Sequence, residues 1–171
     1  MDELKIISRK SVLARLQAIE VSDVIKDKYP DIRIKFITKE TKGDLDLNTP
    51  LHKMPEMGVF TSDIREELIS EKADIAVHSW KDLPVELEEG TEVAATIKRA
   101  DLRDVLLFKR SSLNKKRINI YTSSPRRKEN LSKFLQKAFP FEINSCSFHD
   151  IRGNILTRIK KLKDSNKDGV V

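Results

Sequence analysis

Apolar positions along this chain recur with two different spacings. Short segments alternate apolar and polar residues or are apolar throughout, which predicts strands, whereas longer segments repeat apolar residues every three or four positions, which predicts helices. In the first half, strands are predicted at 4–7, 32–37, 73–77, 92–97 and 105–108, and helices at 11–28 and 62–71. The residues expected to be buried on these two helices are Val12, Leu13, Leu16, Ile19, Ile64 and Leu68.

The second half shows the same alternation. Strands are predicted at 117–121 and 141–148, and helices at 125–138 and 154–163. The residues expected to face the core from these helices are Leu131, Phe134, Leu135, Ala138, Ile155, Leu156, Ile159 and Leu162. Asp168–Val171 has the pattern of the first half of a parallel strand. A strand interrupted there should leave an exposed sheet edge, so the chain is expected to be incomplete or truncated.

Alternating strands and helices are typical of an α/β fold, with helices packed on the faces of a sheet. The polar, basic stretch 109–116 is expected to be a crossing between two lobes. We therefore predict two α/β lobes, residues 1–104 and 105–171, with a cleft between them and with the second lobe incomplete. Residues 41–56 are polar and contain Gly43, Pro50 and Pro55, which predicts a long loop of the kind that often carries function.

The composition limits the classes of function. Hydrophobic residues make up 39% of the chain and charged residues 35%, and no segment reaches the roughly 20 apolar residues of a membrane span. A net charge of +6 favours an anionic partner, but the arginines lie in separate turns, which argues against nucleic acid. One cysteine, Cys146, and the lack of a signal-peptide pattern predict a reducing cytoplasm. The three histidines do not have metal-ligand spacing.

Three strand-to-helix turns carry arginines: Ser8–Ser11, Thr122–Arg127 and Ile151–Asn154, the last continued by Thr157 and Arg158. The first two turns also carry several hydroxyl groups. Ser11 and Ser124 suit helix N-caps, and the free amides at a helix start attract anions. Each turn alone also fits an ordinary cap or a solvated basic face. Together they favour a ligand with several carboxylates, because arginine binds planar carboxylates through two parallel hydrogen bonds.

A fourth turn combines a lysine with an aspartate. The apolar segment 73–77 runs directly into His78-Ser79-Trp80-Lys81-Asp82-Leu83-Pro84. Ligands of α/β proteins usually bind at the carboxyl ends of strands. Lys81 can pair there with a substrate carboxylate, and Asp82 can stabilise a developing cation. His78 is expected to be a packed or hydrogen-bonded residue at the end of the strand.

This segment closely resembles the signature of porphobilinogen deaminases, also called hydroxymethylbilane synthases. Further blocks resemble the same family in order and over essentially the whole chain: Ser8–Ser11, Lys42–Asp44 with Thr49–Leu51, Gly58–Phe60, Thr122–Arg127 and Arg152–Arg158. The resemblance implies a cytoplasmic, monomeric enzyme of tetrapyrrole (heme) biosynthesis. It has three domains, of which the first two resemble type 2 periplasmic binding proteins. The family condenses four porphobilinogen molecules into hydroxymethylbilane, with loss of ammonia, on a covalent dipyrromethane primer.

The resemblance also implies roles for individual residues. Asp82 matches the catalytic carboxylate. The residues that match positions holding the dipyrromethane cofactor are Ser11, Lys81, Asp82, Thr122, Ser124, Arg126 and Arg127. Those that match substrate-side positions are Arg9, Phe60, Arg152 and Arg158.

Some positions depart from the family pattern, namely Met57, Trp80, Tyr121 and Pro125. The cysteine that anchors the primer in the third domain has no match, since Cys146 lies in a predicted strand and is expected to be a small buried residue. The chain alone is therefore expected to be inactive. Two other hypotheses stay open at this point: a non-catalytic two-lobe binding module for an acidic small molecule, and a basic nucleic-acid-binding protein, whose affinity would fall steeply with salt.

Overall fold

A computed structural model describes residues 2–46, 49, 58–87 and 89–171. The chain forms two compact units, Met1–Lys98 and Arg99–Val171, and each is described by itself. Strands and helices alternate in both, which confirms the α/β class. The predicted boundary between residues 104 and 105 stays a prediction. Within the described ranges, no helix is both long and apolar enough to cross a membrane.

The first unit is built on a three-stranded parallel sheet. Strand β1 (Glu3–Arg9) lies in the centre, between β2 (Arg33–Lys39) and β3 (Ile75–Ala76). Successive side chains of a strand point to opposite faces. Ile6 accordingly packs with Ala18 of helix α1 (Val12–Lys28), and Ile7 packs with Ile64 of helix α3 (Ser62–Ile69) on the other face. All three strands end at the same edge, where Arg9 and the segment after β3 meet.

The predicted inner face of α1 is wrong. Val12, Leu13, Leu16 and Ile19 are 43–53% exposed, whereas Ala18 and Ser22 are buried. Small side chains let the helix axis approach the sheet closely, and the larger apolar residues then lie on the outer side. The inner face of α3 is as predicted, because Ile64 is fully buried and Leu68 packs partly against the same cluster.

Two further predictions in the first unit need correction. Residues 92–97 form no strand, and they are exposed and without regular structure. The predicted loop 41–56 contains the short helix α2 (Lys42–Leu45). Residues 47, 48 and 50–57, with His52 and Met57 among them, lie outside the described residues.

The second unit contains a four-stranded mixed sheet in the order β4-β7-β5-β6. Its strands are β4 (Leu107–Phe108), β5 (Arg117–Tyr121), β6 (Ser145–His149) and β7 (Gly169–Val170). Strand β5 runs parallel to β6 and β7, and β4 runs antiparallel to β7. Helix α4 (Pro125–Ala138) contributes Leu135 to a core with Ile118, Ile120 and Ile143, and α5 (Ile155–Lys163) contributes Leu162 to a second cluster.

The prediction of an exposed edge at the last strand is wrong. Strand β7 pairs on both sides, with β4 and with β5, and both of its residues are buried. The predicted strand 141–148 is shorter, since β6 begins at Ser145 and Phe141 packs instead in a ring cluster with Phe108 and Phe139.

Some helix faces of the second unit are also corrected. Phe134, Ile155 and Leu156 are 55–62% exposed instead of buried. Leu131 and Ile159 are half-buried, and the side chain of Ala138 lies outside the description. Burial of Leu135 and Leu162 is confirmed.

Candidate active site

Asp82 lies in a tight turn directly after the first unit's sheet. Residues Trp80–Asp82 form one turn of 3-10 helix, in which the Asp82 backbone N–H donates to the Ser79 carbonyl at 2.9 Å. The turn holds the Asp82 side chain against the end of β1, where only 18% of it is exposed. Trp80 in the same turn is 66% exposed.

Arg9, the last residue of β1, joins two carboxylates. Its Nη1 donates to Asp82 Oδ2 at 3.3 Å, while Nε donates to Asp44 Oδ2 at 3.1 Å and Nη2 donates to Asp44 Oδ1. The guanidinium carbon lies 4.1 Å from the centroid of the Phe60 ring, a cation–π contact. Because the Arg9 side chain is only 20% exposed, water screens these interactions weakly.

Asp44 is a residue whose role the sequence prediction missed. Burial raises the pKa of its carboxyl, but hydrogen bonds from Arg9 and Thr41 outweigh burial and hold the pKa below the usual value. Thr41 Oγ1 donates to Asp44 Oδ2 at 2.8 Å, and the Thr41 backbone N–H donates to the same oxygen at 3.3 Å as part of a capping box at the start of α2. The pattern Thr-x-x-Asp is a sequence sign of such a box and could have identified the residue.

Gly43 lets Phe60 lie beneath Arg9. A Cβ atom at position 43 would stand 2.2 Å from Cε1 of the Phe60 ring, so any side chain would push the ring away. The Gly43 N–H also donates to the Val59 carbonyl at 2.9 Å, which fixes the two segments to each other. The two blocks Lys42–Asp44 and Gly58–Phe60 therefore form one support for Arg9.

A cavity of about 70 Å³ opens beside this group. The side chains that border it and bear on chemistry are Arg9, Ser11, Gln17, His78, Lys81 and Asp82. Ser11 caps α1 as predicted, with its Oγ accepting from the Ala14 N–H at 3.3 Å. Ser79 Oγ donates to Gln17 Oε1 at 2.9 Å, which links the turn to α1 and gives Gln17 a place that the sequence prediction did not assign.

The imidazole of His78 has a pKa below its ordinary value. Burial lowers the pKa of its imidazole, and the neighbouring Arg9 lowers it further against the opposite effect of Asp82. The described residues contain no group of three or more His, Cys, Asp or Glu that could hold a metal ion.

The second unit places its predicted residues around the turn between β5 and α4. Ser124 caps α4, with its Oγ accepting from the Arg127 N–H at 3.3 Å, and Pro125 follows at the first helical position. Thr122 is buried, and its Oγ1 accepts from the Ser124 N–H at 3.3 Å. The buried Thr122 hydroxyl therefore stabilises the turn by accepting this backbone hydrogen bond.

Arg126 and Arg127 converge on one carboxylate of the same unit. Arg126 Nη1 and Nη2 donate to the two oxygens of Asp104 at 2.8 and 3.1 Å, and Arg127 Nε donates to Oδ1 at 2.9 Å. Hydrogen bonding to Arg126, more than any other cause, lowers the pKa of Asp104. The pairing was not predicted, because no local spacing connects Asp104 with residues more than twenty positions away.

Two more arginines add positive charge to this part of the second unit. Arg158 Nε donates to the Gly153 carbonyl at 2.7 Å, and Gly153 takes a φ of +110° that favours glycine. Burial lowers the pKa of Arg158, and repulsion from Arg127 and Arg152 lowers it further. Arg127 and Arg152 therefore each lie close enough to repel Arg158, an arrangement that an anionic ligand would stabilise.

Cys146 is half-buried in β6 and packs against the aliphatic core. Burial, with a contribution from Asp168, raises the pKa of its thiol to about 11. The thiolate is the nucleophilic form of cysteine. Cys146 is thus a weak nucleophile at neutral pH, in agreement with its prediction as a packing residue.

Comparison with known proteins identifies the family. A sequence profile described as "Porphobilinogen deaminase, dipyromethane cofactor binding domain" matches residues 4–171. Porphobilinogen deaminases of Syntrophomonas wolfei and Clostridioides difficile are 38% and 39% identical, over 100% and 96% of this chain and 54% and 53% of their own lengths. A probable porphobilinogen deaminase of Picrophilus torridus is 38% identical over 98% of the chain and 56% of its own length. The chain spans about half the length of these relatives, and it belongs to the porphobilinogen deaminase family.

Proposed function

We propose that this chain is the part of a porphobilinogen deaminase that holds the catalytic carboxylate and the carboxylate-binding arginines. The whole enzyme would condense four porphobilinogen molecules into hydroxymethylbilane and release ammonia. The lobes 1–104 and 105–171, each of the periplasmic binding protein kind, and the monomeric, cytoplasmic state belong to the same proposal. The family match over residues 4–171 supports the enzyme more than a binding module.

The observation that carries the proposal is the pairing of Arg126 and Arg127 with one carboxylate at 2.8–3.1 Å. The two guanidinium groups are thus already oriented for a planar carboxylate, which is the group that porphobilinogen and dipyrromethane carry on their side chains. Such pairs are charge-assisted and directional, so they select carboxylates by geometry as well as by charge. A generic basic surface would not need this alignment.

Asp82 is proposed as the catalytic residue. Loss of ammonia from porphobilinogen leaves a positive charge spread over the pyrrole, and a preorganised carboxylate stabilises such a charge as it develops. Arg9 engages Oδ2 of Asp82, and no described residue donates a hydrogen bond to Oδ1. Oδ1 is therefore the oxygen proposed to accept from the pyrrole N–H, while Arg9 fixes the orientation of the carboxylate.

The residues of the second unit fit the carboxylates of dipyrromethane. Bound dipyrromethane would supply the pyrrole to which substrate units are added. Arg126 and Arg127 are proposed to hold its acetate and propionate groups, together with the N-terminal amides of α4 and Ser124. Ser11 and Lys81 are proposed to hold further carboxylates, and Thr122 to keep the turn in shape. Arg9, Phe60, Arg152 and Arg158 are assigned to incoming substrate.

The test uses free dipyrromethane with its acetate and propionate groups, and two variants of the chain. Arg126→Ala with Arg127→Ala should weaken dipyrromethane binding at least tenfold in calorimetry, since two charge-assisted contacts are lost. Arg103→Ala removes one exposed arginine of the same unit, paired with Asp101, and should leave the affinity unchanged. Equal affinity of the double variant and the control would contradict the proposed carboxylate site.

A second measurement addresses turnover. Residues 1–171 alone should release no ammonia from porphobilinogen beyond a protein-free blank, because Cys146 is a weak nucleophile and no other thiol is present to anchor a growing product. Sustained ammonia release, or a pyrrole adduct on Cys146 detected by mass spectrometry, would contradict this expectation.

A further inference from the structure

Asp104 occupies the hydrogen-bonding groups that a ligand would use in the second unit. Arg126 donates through both terminal nitrogens, so the end of its guanidinium that suits a bidentate carboxylate is already filled. Arg127 donates through Nε to the same carboxylate and through Nη1 to the Val171 carbonyl at 3.1 Å. A ligand carboxylate cannot take the same position at the end of Arg126 while Asp104 remains there.

The segment that carries Asp104 has little to hold it in place. Residues 99–105 have no regular secondary structure, and all of them are exposed. Asp104 itself keeps 27% of its side chain exposed, and its partner Arg126 keeps 62%. The Arg126–Asp104 ion pair contributes little net stability because water screens the largely exposed Arg126. Displacing Asp104 therefore disturbs neither a helix nor a ladder of the sheet.

The charges of this region also favour exchange of one carboxylate for another. Burial, together with repulsion from Arg127 and Arg152, lowers the pKa of Arg158, and Asp104 compensates only part of the positive charge of these arginines. A ligand with several carboxylates would compensate more of it. The region can thus accept a polyanion in place of the single resident carboxylate.

We propose that Asp104 is an internal competitor, a carboxylate of the chain that closes the Arg126–Arg127 pair until a ligand carboxylate displaces it. The inference rests on the proposed function, because it takes these two arginines as the binding site for ligand carboxylates. It adds a requirement on affinity: an acid binds only if it interacts with the two arginines more strongly than Asp104 does. Asp104 would therefore favour acids with two or more carboxylates over acids with one.

The test compares Asp104→Asn with a matched control in the intact 171-residue chain. Asp101→Asn removes the same charge three residues away, from a carboxylate that pairs with Arg103. The probes are glutarate and free dipyrromethane with its acetate and propionate groups, with affinities from calorimetry and with the Arg127 Nε–H resonance as a direct readout. Asp104→Asn should bind both acids about three- to tenfold more tightly than the wild type, whereas Asp101→Asn should stay within about twofold. Asp104→Glu, which keeps a carboxylate, should restore the weaker binding.

Each other outcome overturns a defined part of the argument. If Asp104→Asn binds with unchanged affinity, the competition is wrong and the proposed site stands. If it binds more weakly, Asp104 positions the arginines for the ligand and the competition is again wrong. If neither the wild type nor Asp104→Asn binds either acid, both the inference and the proposed function fail, because removing the competitor should have freed the arginines.

Discussion

Arg9 of the first unit and the arginine pair of the second unit both bind aspartates, but their surroundings differ. Arg9 is 20% exposed, lies over an aromatic ring and contacts two carboxylates on fixed turns. Arg126 and Arg127 are 62% and 29% exposed and share one carboxylate on an irregular segment. The first arrangement is closely supported and sets two carboxylates against one guanidinium, whereas the second sets two guanidinium groups against one carboxylate and has an excess of positive charge.

This difference suggests that the two groups of residues have different roles. A carboxylate that must stabilise a transient cation needs a fixed position, because preorganisation is what makes such stabilisation effective. Arginines that must bind and release anions need accessible donors. The supported group around Asp82 would suit the proposed chemistry, and the more accessible arginine pair would suit the proposed binding.

The largest effect is expected from Asp82→Asn in the full native protein. The amide keeps the shape but removes the negative charge, so turnover should fall about 100- to 1,000-fold, the usual effect of losing one preorganised group. Steady-state release of ammonia measures it. Asp27→Asn, an exposed carboxylate on α1, is the control and should keep normal turnover. If the turnover of Asp82→Asn stays within a few fold of the wild type, Asp82 is not the catalytic carboxylate, and the proposed chemical role of the first unit is wrong.

The next effect concerns the buried carboxylate of the second unit. Asp168 is 1% exposed and accepts from Ser112 Oγ at 2.6 Å, Lys115 Nζ at 2.8 Å and the Asn119 N–H at 2.7 Å. Asp168→Asn leaves these donors poorly satisfied and should lower the unfolding free energy of this unit by about 2–3 kcal/mol. Hydrogen exchange of β5 measures the loss, and β1 of the first unit serves as the internal control. Equal loss of protection in both strands would show that the two units are not independent.

Acid should weaken the second unit through the same residue. Burial raises the pKa of Asp168, but the hydrogen bonds and charge of its partners outweigh burial and hold the pKa below its ordinary value. A carboxyl whose pKa is depressed in the folded state stabilises it above the ordinary pKa of about 4, and this contribution disappears as pH falls through the depressed value. Stability of the second unit measured between pH 5 and pH 2 should therefore fall less in Asp168→Asn than in the wild type. Equal pH dependence would contradict the assignment.

A smaller effect is expected from Gly43→Ala in the first unit. The new Cβ would lie 2.2 Å from the Phe60 ring and force it to move from beneath Arg9, which should cost about 1–3 kcal/mol in urea unfolding. The double variant Gly43→Ala with Phe60→Leu should recover part of that loss, because the smaller side chain makes room. Additive losses in the double-variant cycle would show that the two positions are not in contact.

The smallest effect tests the corrected face of α1. Leu16→Gln should change the unfolding free energy by no more than about 0.5 kcal/mol, since Leu16 is 53% exposed. Ala18→Leu, on the buried face, should destabilise by about 1–3 kcal/mol through overpacking. If Leu16→Gln destabilised the protein more than Ala18→Leu, the buried face of α1 would be the one that the apolar pattern predicted.

The sequence predicts the features that depend on local chemistry. Ser11 and Ser124 cap helices as expected, because a serine before a helical pattern satisfies a free amide wherever the fold places it. Strand β5 and helix α4 have the predicted bounds, because their patterns end in clear turn signals. The predicted site residues Arg9, Lys81 and Asp82 lie together, since parallel strands end at one edge of a sheet.

Features that depend on distant partners could not be predicted in the same way. Residues 92–97 have a strand pattern, but a strand also needs a neighbour, and none pairs with them in the described part of the chain. The inner face of α1 was misassigned because large apolar residues were preferred over Ala18 and Ser22, whose small size allows close packing. The contact between Asp104 and Arg126 joins segments 22 positions apart and leaves no trace in the local pattern.

The place of β7 between β4 and β5 bears on how the chain folds during synthesis. The four-stranded sheet of the second unit cannot be completed until residues 169–170 have been synthesised, because β7 joins β4 to β5. These residues follow β4 by about 60 positions. In the first unit, β1 and β2 are only about 30 residues apart and can pair much earlier. The aromatic cluster around Phe108 should thus stay uncovered on the ribosome longer than the core around Ile6, which makes the second unit the part most in need of protection from aggregation.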